Sequence, residues 1–439
     1  MSSPTPPYPG YLERLAERIA HDVAEAEPLA SAHTGAAVEL REAVTDAVEG
    51  LAADLVGLSR DVHAHPELGF AEHHAVDAVA RVVGDHGGDA EVGAYGLETA
   101  LRAQAGRGRP RVAILAEYDA LPGIGHACGH NIICASAVGA FLAAATVVGE
   151  VAGSVELIGC PAEEGGGGKE LIARAGGFEE VDAVVMVHPA GFETAAQPWL
   201  GVRQVNVTYH GLSAHAAAMP FLGRNALDAV VAAYLGIGQL RQHILPTDRV
   251  HGIITDGGQK PNIVPERAAA TFYLRSAEPR TLAELCERAG AVFEAAAAST
   301  GTDVDIDWDP CPVYLPVRHN HTLAGRYAQN MTERGRRVLP PGLVPGELTG
   351  STDLGNVSVR VPAIHPTLAI APPAVSIHSP EFARWAASEE GDRGTVDGAI
   401  GLALTAVDFL GDAELREAVA AEFQSAGGRT DPATLLDIG

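Results

Sequence analysis

The sequence predicts an α/β protein: a doubly wound, mostly parallel sheet domain interrupted by an inserted, ferredoxin-like α+β domain. Three features carry the prediction. Apolar strand-like runs alternate with helical stretches up to about residue 198; the order then changes to strand, helix, strand, strand, helix, strand; and signals of the first kind resume after residue 311. The expected units are an N-terminal helical extension over 1–50, a main domain over 51–198 and 312–439, and an insert over 199–311.

Taken in order, residues 11–59 are rich in Ala, Glu and Leu at helical spacing, and Pro66 should end the helical run just after His63-Ala-His65. Strands are expected at 111–116, 154–160 and 182–187, with helices near 132–148 and 169–174 between them. In the insert, 201–210 alternates as a half-buried strand does, 225–244 reads as a helix, 251–257 and 262–276 as strands, 281–298 as a helix and 303–308 as a strand. The apolar, Pro-bounded run at 363–371 and a core helix over 396–410 complete the main domain.

Composition narrows the class of protein. The 439 residues are 47% hydrophobic with no apolar run read as long enough to span a bilayer, which predicts a globular protein with ample core and no membrane partner. A net charge of −26 without an offsetting basic cluster disfavours nucleic acid and anionic membranes as partners. Five scattered cysteines and an N-terminus lacking a basic patch before an apolar core point to a reducing, cytoplasmic location without disulfides.

The richest stretch runs from Leu115 to Asn131, where Cys128 and His130 flank a glycine after an apolar strand. Thiolate and imidazole both suit a borderline-soft divalent ion, and Gly129 lets the two side chains converge. Further candidate ligands follow other predicted strands: Glu163 and Glu164, then His188, then His378. Adjacent carboxylates are costly to place together unless a cation or a shared proton relieves them, so one can bind metal while the other holds a proton. Amide hydrolysis needs that division, with water polarised by metal and a general base to deprotonate it. A two-metal site, ions ~3.5–4 Å apart with the thiolate as bridge, fits a ligand set of this size. Asp119 is placed to orient a ligand histidine. Two other readings stand beside this one: a metal-free hydrolase with Cys128 as nucleophile and His130 as base, and a non-catalytic binding or regulatory protein on the same fold. The His63-Ala-His65 pair is rejected as a barrel-type metal motif for want of regular βα units, and His73, His74, His319 and His321 are expected on the surface.

Several strings also occur in one family's order: Glu-Tyr-Asp-Ala-Leu-Pro (117–122), His-Ala-Cys-Gly-His (126–130), Pro-Ala-Glu-Glu-Gly-Gly (161–166), His188-Pro189, Gly-Leu-Ser-Ala-His-Ala-Ala (211–217), Pro-Asn-Ile-Val-Pro (261–265), Tyr-Leu-Arg (273–275) and His-Ser-Pro-Glu-Phe (378–382). From about Arg60 to Leu410 the chain resembles the aminoacylase and carboxypeptidase G metallopeptidase family, in its amidohydrolase branch with auxin-conjugate and hippurate hydrolases. Within the branch it is most similar to aminobenzoyl-glutamate hydrolase and the β-alanyl-lysine dipeptidase group. The resemblance implies Cys128 as bridging ligand, His130 and His188 as terminal ligands, Glu164 and His378 completing the shell, and Glu163 as general acid/base. It implies two divalent ions, Zn²⁺ or Mn²⁺, and a small N-acyl amino acid or dipeptide-like substrate. It further implies a homodimer formed through the insert, His215 of one protomer stabilising the oxyanion in its partner's site, and Asn262 and Arg275 binding the substrate carboxylate. Two positions depart from the branch: Asn131 stands where many members have Asp, and Ser351-Thr352-Asp353 where many have Glu-Asp-Phe.

Overall fold

The computed structural model describes residues 8, 10–27, 29–343 and 349–436. Its helices are α1 (Gly10–Glu25), α2 (Val38–Ala64), α3 (His73–Asp85), α4 (His130–Val147), α5 (Gly168–Arg174), α6 (Ala226–Leu240), α7 (Pro279–Thr300), α8 (His321–Glu333), α9 (Leu354–Ser358), α10 (Pro380–Trp385), α11 (Glu389–Gly411), α12 (Ala413–Ser425) and α13 (Pro432–Leu435). Its strands are β1 (Ala90–Val92), β2 (Leu101–Gly106), β3 (Arg111–Glu117), β4 (Ser154–Cys160), β5 (Ala183–Val185), β6 (His188–Ala190), β7 (Gly201–His210), β8 (Arg249–Asp256), β9 (Arg267–Ser276), β10 (Asp303–Trp308), β11 (Ala363–Ile364) and β12 (Thr367–Ala369).

The main sheet has the order β1-β2-β4-β3-β5-β11. Strands β4, β3, β5 and β11 are parallel, whereas β1 and β2 add an antiparallel edge that strand periodicity did not signal. Alternate residues of β3 serve opposite faces, as the period of two requires. Val112 and Ile114 pack with α2, α4 and α11 through residues such as Leu55, Val138 and Ala403; Ala113 and Leu115 pack with α5 and α9 through Ile172 and Val357. Helices α4 and α11 are long and apolar enough to cross a membrane, which the sequence reading did not expect, but 89% and 83% of their apolar stretches are buried. α4 is apolar nearly all round and surrounded by protein, whereas α11 keeps most of its charges in its more exposed first turns.

The insert forms a separate sheet of order β10-β7-β9-β8, antiparallel throughout, with α6 and α7 on one face. Numbered within the insert this is 4-1-3-2, the ferredoxin-like order. Val205, Val207 and Phe272 from its strands meet Ile237 and Phe293 from its helices in a core of their own. Asn225 caps α6 by accepting from the amides of Leu227 and Asp228, which explains why that helix starts where it does.

Three expectations are corrected. The boundary at residue 50 falls inside α2, whose Val44 and Val48 enter the same core as Leu55, so the helix is one with the main domain. The helical run over 11–59 is two helices, separated by non-helical residues that include Leu29 to Ala37. β9 begins at Arg267, which leaves Asn262 in the preceding loop.

Candidate metal centre

The polar residues collect at the carboxyl ends of the parallel strands, the edge where such sheets bind ligands. β3 leads through Asp119 into the loop bearing Cys128, and α4 opens on His130; β4 leads to Glu163 and Glu164; His188 opens β6; and His378 lies on the loop before α10. Gly129 allows the closest approach. Its φ is +78°, and a Cβ there would sit 2.5 Å from Pro189 Cγ, so a larger residue would push Cys128 and His130 away from His188. Ala162 and His378 are left-handed too, with φ of 54° and 61°, conformations that non-glycine residues hold only where their surroundings impose them. At His378 the Ala127 carbonyl accepts from the backbone amide at 2.8 Å, tying one ligand loop to the other.

Cys128 Sγ lies 3.4 Å from His188 Nε2, while Glu164 Oε1 lies 3.1 Å from His378 Nε2 and 4.0 Å from His130 Nε2. Ligand atoms of Cys128, His130 and His188 fall within 4.8 Å of one another, and so do those of Cys128, Glu164 and His378. The thiol is therefore common to two clusters. His130 Nδ1 donates to Asp119 Oδ1 at 3.0 Å and His188 Nδ1 donates to the Pro189 carbonyl at 2.8 Å. Both Nε2 atoms are thereby left to face the cluster, the orientation that metal-bound histidines take. His130 Nε2 is buried without a hydrogen-bond partner. Sulfur, imidazole and carboxylate acceptors converging in this way fit divalent cations.

The electrostatics separate the two glutamates. Burial, reinforced by Glu117 and Glu164, holds the Glu163 carboxyl well above the usual range. Burial acts on Glu164 in the same sense, but the hydrogen bond from His378 and the charge of His130 bring it below its ordinary value. Asp119 is likewise lowered against burial by His130. Burial, then His130, depresses His188 to about 4, the neutral state that a metal-binding imidazole needs.

Residues 113–391 match peptidase family M20/M25/M40. The Xaa-Arg dipeptidase of Mus musculus is 38% identical over 399 residues, covering 88% of this chain and 92% of that protein. The chain belongs to the M20/M25/M40 family. It is a metal-dependent hydrolase of amide or peptide bonds, in the amidohydrolase branch that its motifs resemble. One of the polypeptides of Escherichia coli p-aminobenzoyl-glutamate hydrolase is 32% identical over 319 residues, covering 68% of this chain and 66% of its own length. Two solved structures share the fold. A Bacillus subtilis dinuclear metal binding peptidase from the M20 family matches with a TM-score of 0.63 at 21% identity, over 82% of this chain and 99% of that one. The aminobenzoyl-glutamate utilization protein of Klebsiella pneumoniae matches with 0.65 at 20% identity, over 84% and 98%.

In this M20 chain the ligand set opens into a cleft of about 570 Å³ between the main domain and the insert. Arg275 reaches it from β9, half-buried, with Nη1 donating to Ser351 Oγ at 2.6 Å. His215 and Asn262 do not reach it. Both are exposed on one corner of the insert, where the Asn262 carbonyl accepts from Ala216 at 3.1 Å and His215 Nδ1 accepts from Ala218 at 3.2 Å.

Sequence reasoning missed the charge network beneath the site. Lys169 Nζ contacts Glu117 and Asp353, and all three side chains are 0% exposed. Glu117 Oε2 lies 3.5 Å from His130 Nε2. The departure at Ser351-Thr352-Asp353 thus supplies a buried counter-charge, and Asp353 Oδ2 also accepts from the Lys169 amide at 2.9 Å. Asn131 points away from the ligands, donating to Ser59 Oγ at 2.8 Å and the Ala386 carbonyl at 3.0 Å, so it clamps α2 to α10. Tyr314 was not anticipated either: its hydroxyl donates to the Glu163 carbonyl at 2.7 Å and accepts from Gly167 at 2.9 Å, ordering the tetraglycine turn. His319, expected on the surface, is half-buried with Nε2 donating to the Gln197 carbonyl at 2.7 Å; His73 and His321 are exposed as expected, and His74 is intermediate.

Proposed function

We propose that the chain cleaves the amide bond of a small dipeptide or N-acyl amino acid that carries a free carboxylate. Cys128, His130, Glu164, His188 and His378 would hold two divalent cations, Zn²⁺ or Mn²⁺, with Glu163 as the proton-transfer group. The single observation that carries this reading is geometric: ligand atoms of Cys128, His130 and His188, and of Cys128, Glu164 and His378, form two clusters that meet at one thiol, with Glu163 beside them. The similar proteins named for Xaa-Arg dipeptidase and p-aminobenzoyl-glutamate hydrolase support substrates of this size and kind.

When bound, the cations supply Lewis acidity that acidifies water and polarises the scissile carbonyl. Glu163 takes the proton from the attacking water and returns it to the departing amine nitrogen. A buried carboxyl with a raised pKa is suited to both halves of that transfer, because its proton affinity approaches that of the groups it serves near neutral pH. Tyr314 and the turn through Gly165 fix the backbone from which Glu163 projects. Arg275, on the opposite wall of the cleft, pairs with the substrate carboxylate through its guanidinium fork. Asp119 keeps His130 in the tautomer that presents Nε2.

The insert pairs with that of a second copy, and His215 with Asn262 completes the partner's site. In support, Leu212, Met219, Phe221 and Leu222 on the segment of His215, and Ile263 beside Asn262, are large exposed apolar residues. A metal-free thiol mechanism is opposed by the state of Cys128, whose burial and neighbouring Glu164 raise it well above the ordinary thiol value. A nucleophilic cysteine needs the opposite shift.

The test is metal content per chain together with hydrolysis of a panel of dipeptides and N-acyl amino acids, comparing wild type with Glu163→Gln. Two ions retained in both proteins, with turnover lost only in the variant, supports the assignment. Undiminished hydrolysis in the variant, or no bound metal in the active protein, overturns it.

A further inference from the structure

On the far end of α2 from the chain start, Asp61, His65 and His74 each place a ligand atom within 4.8 Å of the others. We infer that they form a peripheral divalent-cation site, separate from the catalytic cleft, that clips the end of α2 to the start of α3. Two imidazoles and one carboxylate suit a borderline ion such as Zn²⁺ or Ni²⁺ and leave coordination positions for water.

The three side chains are held in place by other bonds. Asp61 lies in the last turn of α2 and His65 is its C-cap, four residues on and so on the same face. His65 Nδ1 lies 2.9 Å from the Asp61 carbonyl and 3.2 Å from Asp61 Oδ1, so this ring nitrogen is the one turned toward the carboxylate. His74 is the second residue of α3, and the Glu67 carboxylate fixes that end by accepting from the amides of His74 and Ala75 at 2.9 and 3.0 Å. His74 Nε2 then lies 2.9 Å from Asp61 Oδ2, and the two imidazole rings are 4.1 Å apart between centroids. One carboxylate thus faces two adjacent imidazoles, Oδ1 toward His65 and Oδ2 toward His74. The side chains of His65, His74 and Asp61 are 55%, 36% and 37% exposed, so an ion reaches them from solvent. The neighbouring groove between α2 and α3 carries Asp54, Asp61 and Asp85 against Arg81, a local field that attracts cations.

The position gives the site a consequence for the enzyme. Between the two helices, the Glu67 carbonyl accepts from the Ala120 amide at 2.7 Å and Glu72 Oε1 accepts from the Ala162 amide at 2.8 Å. Ala120 adjoins Asp119 and Ala162 adjoins Glu163. An ion bound at Asp61, His65 and His74 stiffens the segment on which both catalytic loops rest.

The experiment uses the full chain carrying its own catalytic metal, dialysed against Ni²⁺ and counted by elemental analysis, in wild type, the double variant His65→Ala/His74→Ala, and Asp61→Asn. Wild type should take up about one ion per chain more than either variant, with Ni²⁺ affinity falling at least roughly 10–100-fold in Asp61→Asn, since losing a ligand should cost no less than losing a ligand's orienting partner. Ni²⁺ should raise the thermal midpoint of wild type and leave that of the double variant unchanged. Equal uptake by all three proteins overturns the site. The comparison is a difference between proteins with the same cleft, so its outcome is independent of how many ions the cleft itself holds. Asp61→Asn keeps the test open should the double variant fold poorly.

Discussion

Replacing Lys169 with Met should destabilise the chain severely, and more so at high pH than at low. The side chain lengths are similar, so the substitution removes a charge while largely keeping the packing volume. It leaves Glu117 and Asp353, both 0% exposed, without the cation that both contact. Breaking a buried ion pair from one side costs about 3–5 kcal/mol, and the loss of one cation shared by two carboxylates belongs in the upper half of that range. The variant has one escape. Burial, against the pull of Lys169, already holds Asp353 at about 6, and without Lys169 its folded-state value rises further above the unfolded one. A folded state that binds the extra proton loses stability as pH rises through that window, so the deficit should grow from about pH 5.5 to about pH 8. Urea unfolding of the metal-stripped proteins at both pH values measures this. Adding Asp353→Asn to Lys169→Met should recover part of the loss at the higher pH, because the two positions are coupled. A deficit below ~1 kcal/mol, or one that is larger at the lower pH, would refute the reasoning.

Arg275→Met should raise KM roughly 10–100-fold with a smaller change in kcat, the worth of a charged hydrogen bond, and should abolish discrimination between a carboxylate substrate and its carboxamide. Continued discrimination would place the carboxylate elsewhere. His215→Ala and Glu163→Gln, each nearly inactive alone, should regain activity when mixed and allowed to exchange protomers, since one site of each hybrid is then intact; no recovery would show the site complete within one chain. Burial depresses His126 to about 3 and His319 to about 4, below the usual imidazole value. The unfolded chain therefore takes up these protons first, and the metal-free protein should lose stability progressively as pH falls from about 6.5 toward 4, at up to ~1.4 kcal/mol per unit for each group. A flat profile across that window in thermal or urea unfolding would contradict the burial of these two rings as neutral groups.

That the candidate ligand residues converge could be read from the sequence because most of them follow a strong apolar strand signal, and a strand end in a doubly wound sheet has a known location. The insert was legible for a similar reason: its six elements differ in period, and their order allows few arrangements. Local patterns were less informative where an element's role depends on what covers it. β1 and β2 are short edge strands with little apolar signal, and α2 reads as a surface helix until Val44, Val48 and Leu55 are seen against α4 and α11. Lys169 follows a tetraglycine turn and has nothing in its neighbourhood to mark it as buried; its partners are 52 and 184 residues away.

By itself, then, the sequence determined the fold class, the position of the insert and the residue types that meet at the candidate metal centre, since these follow from hydrophobic period and from donor chemistry carried by single residues. The tertiary structure alone decided how deeply each of the two adjacent glutamates is buried and which groups face it, what balances the charge beneath them, and that His215 and Asn262 lie outside their own chain's cleft. Those properties belong to pairs of groups brought together through folding, and their energies depend on burial and distance, which no residue carries on its own.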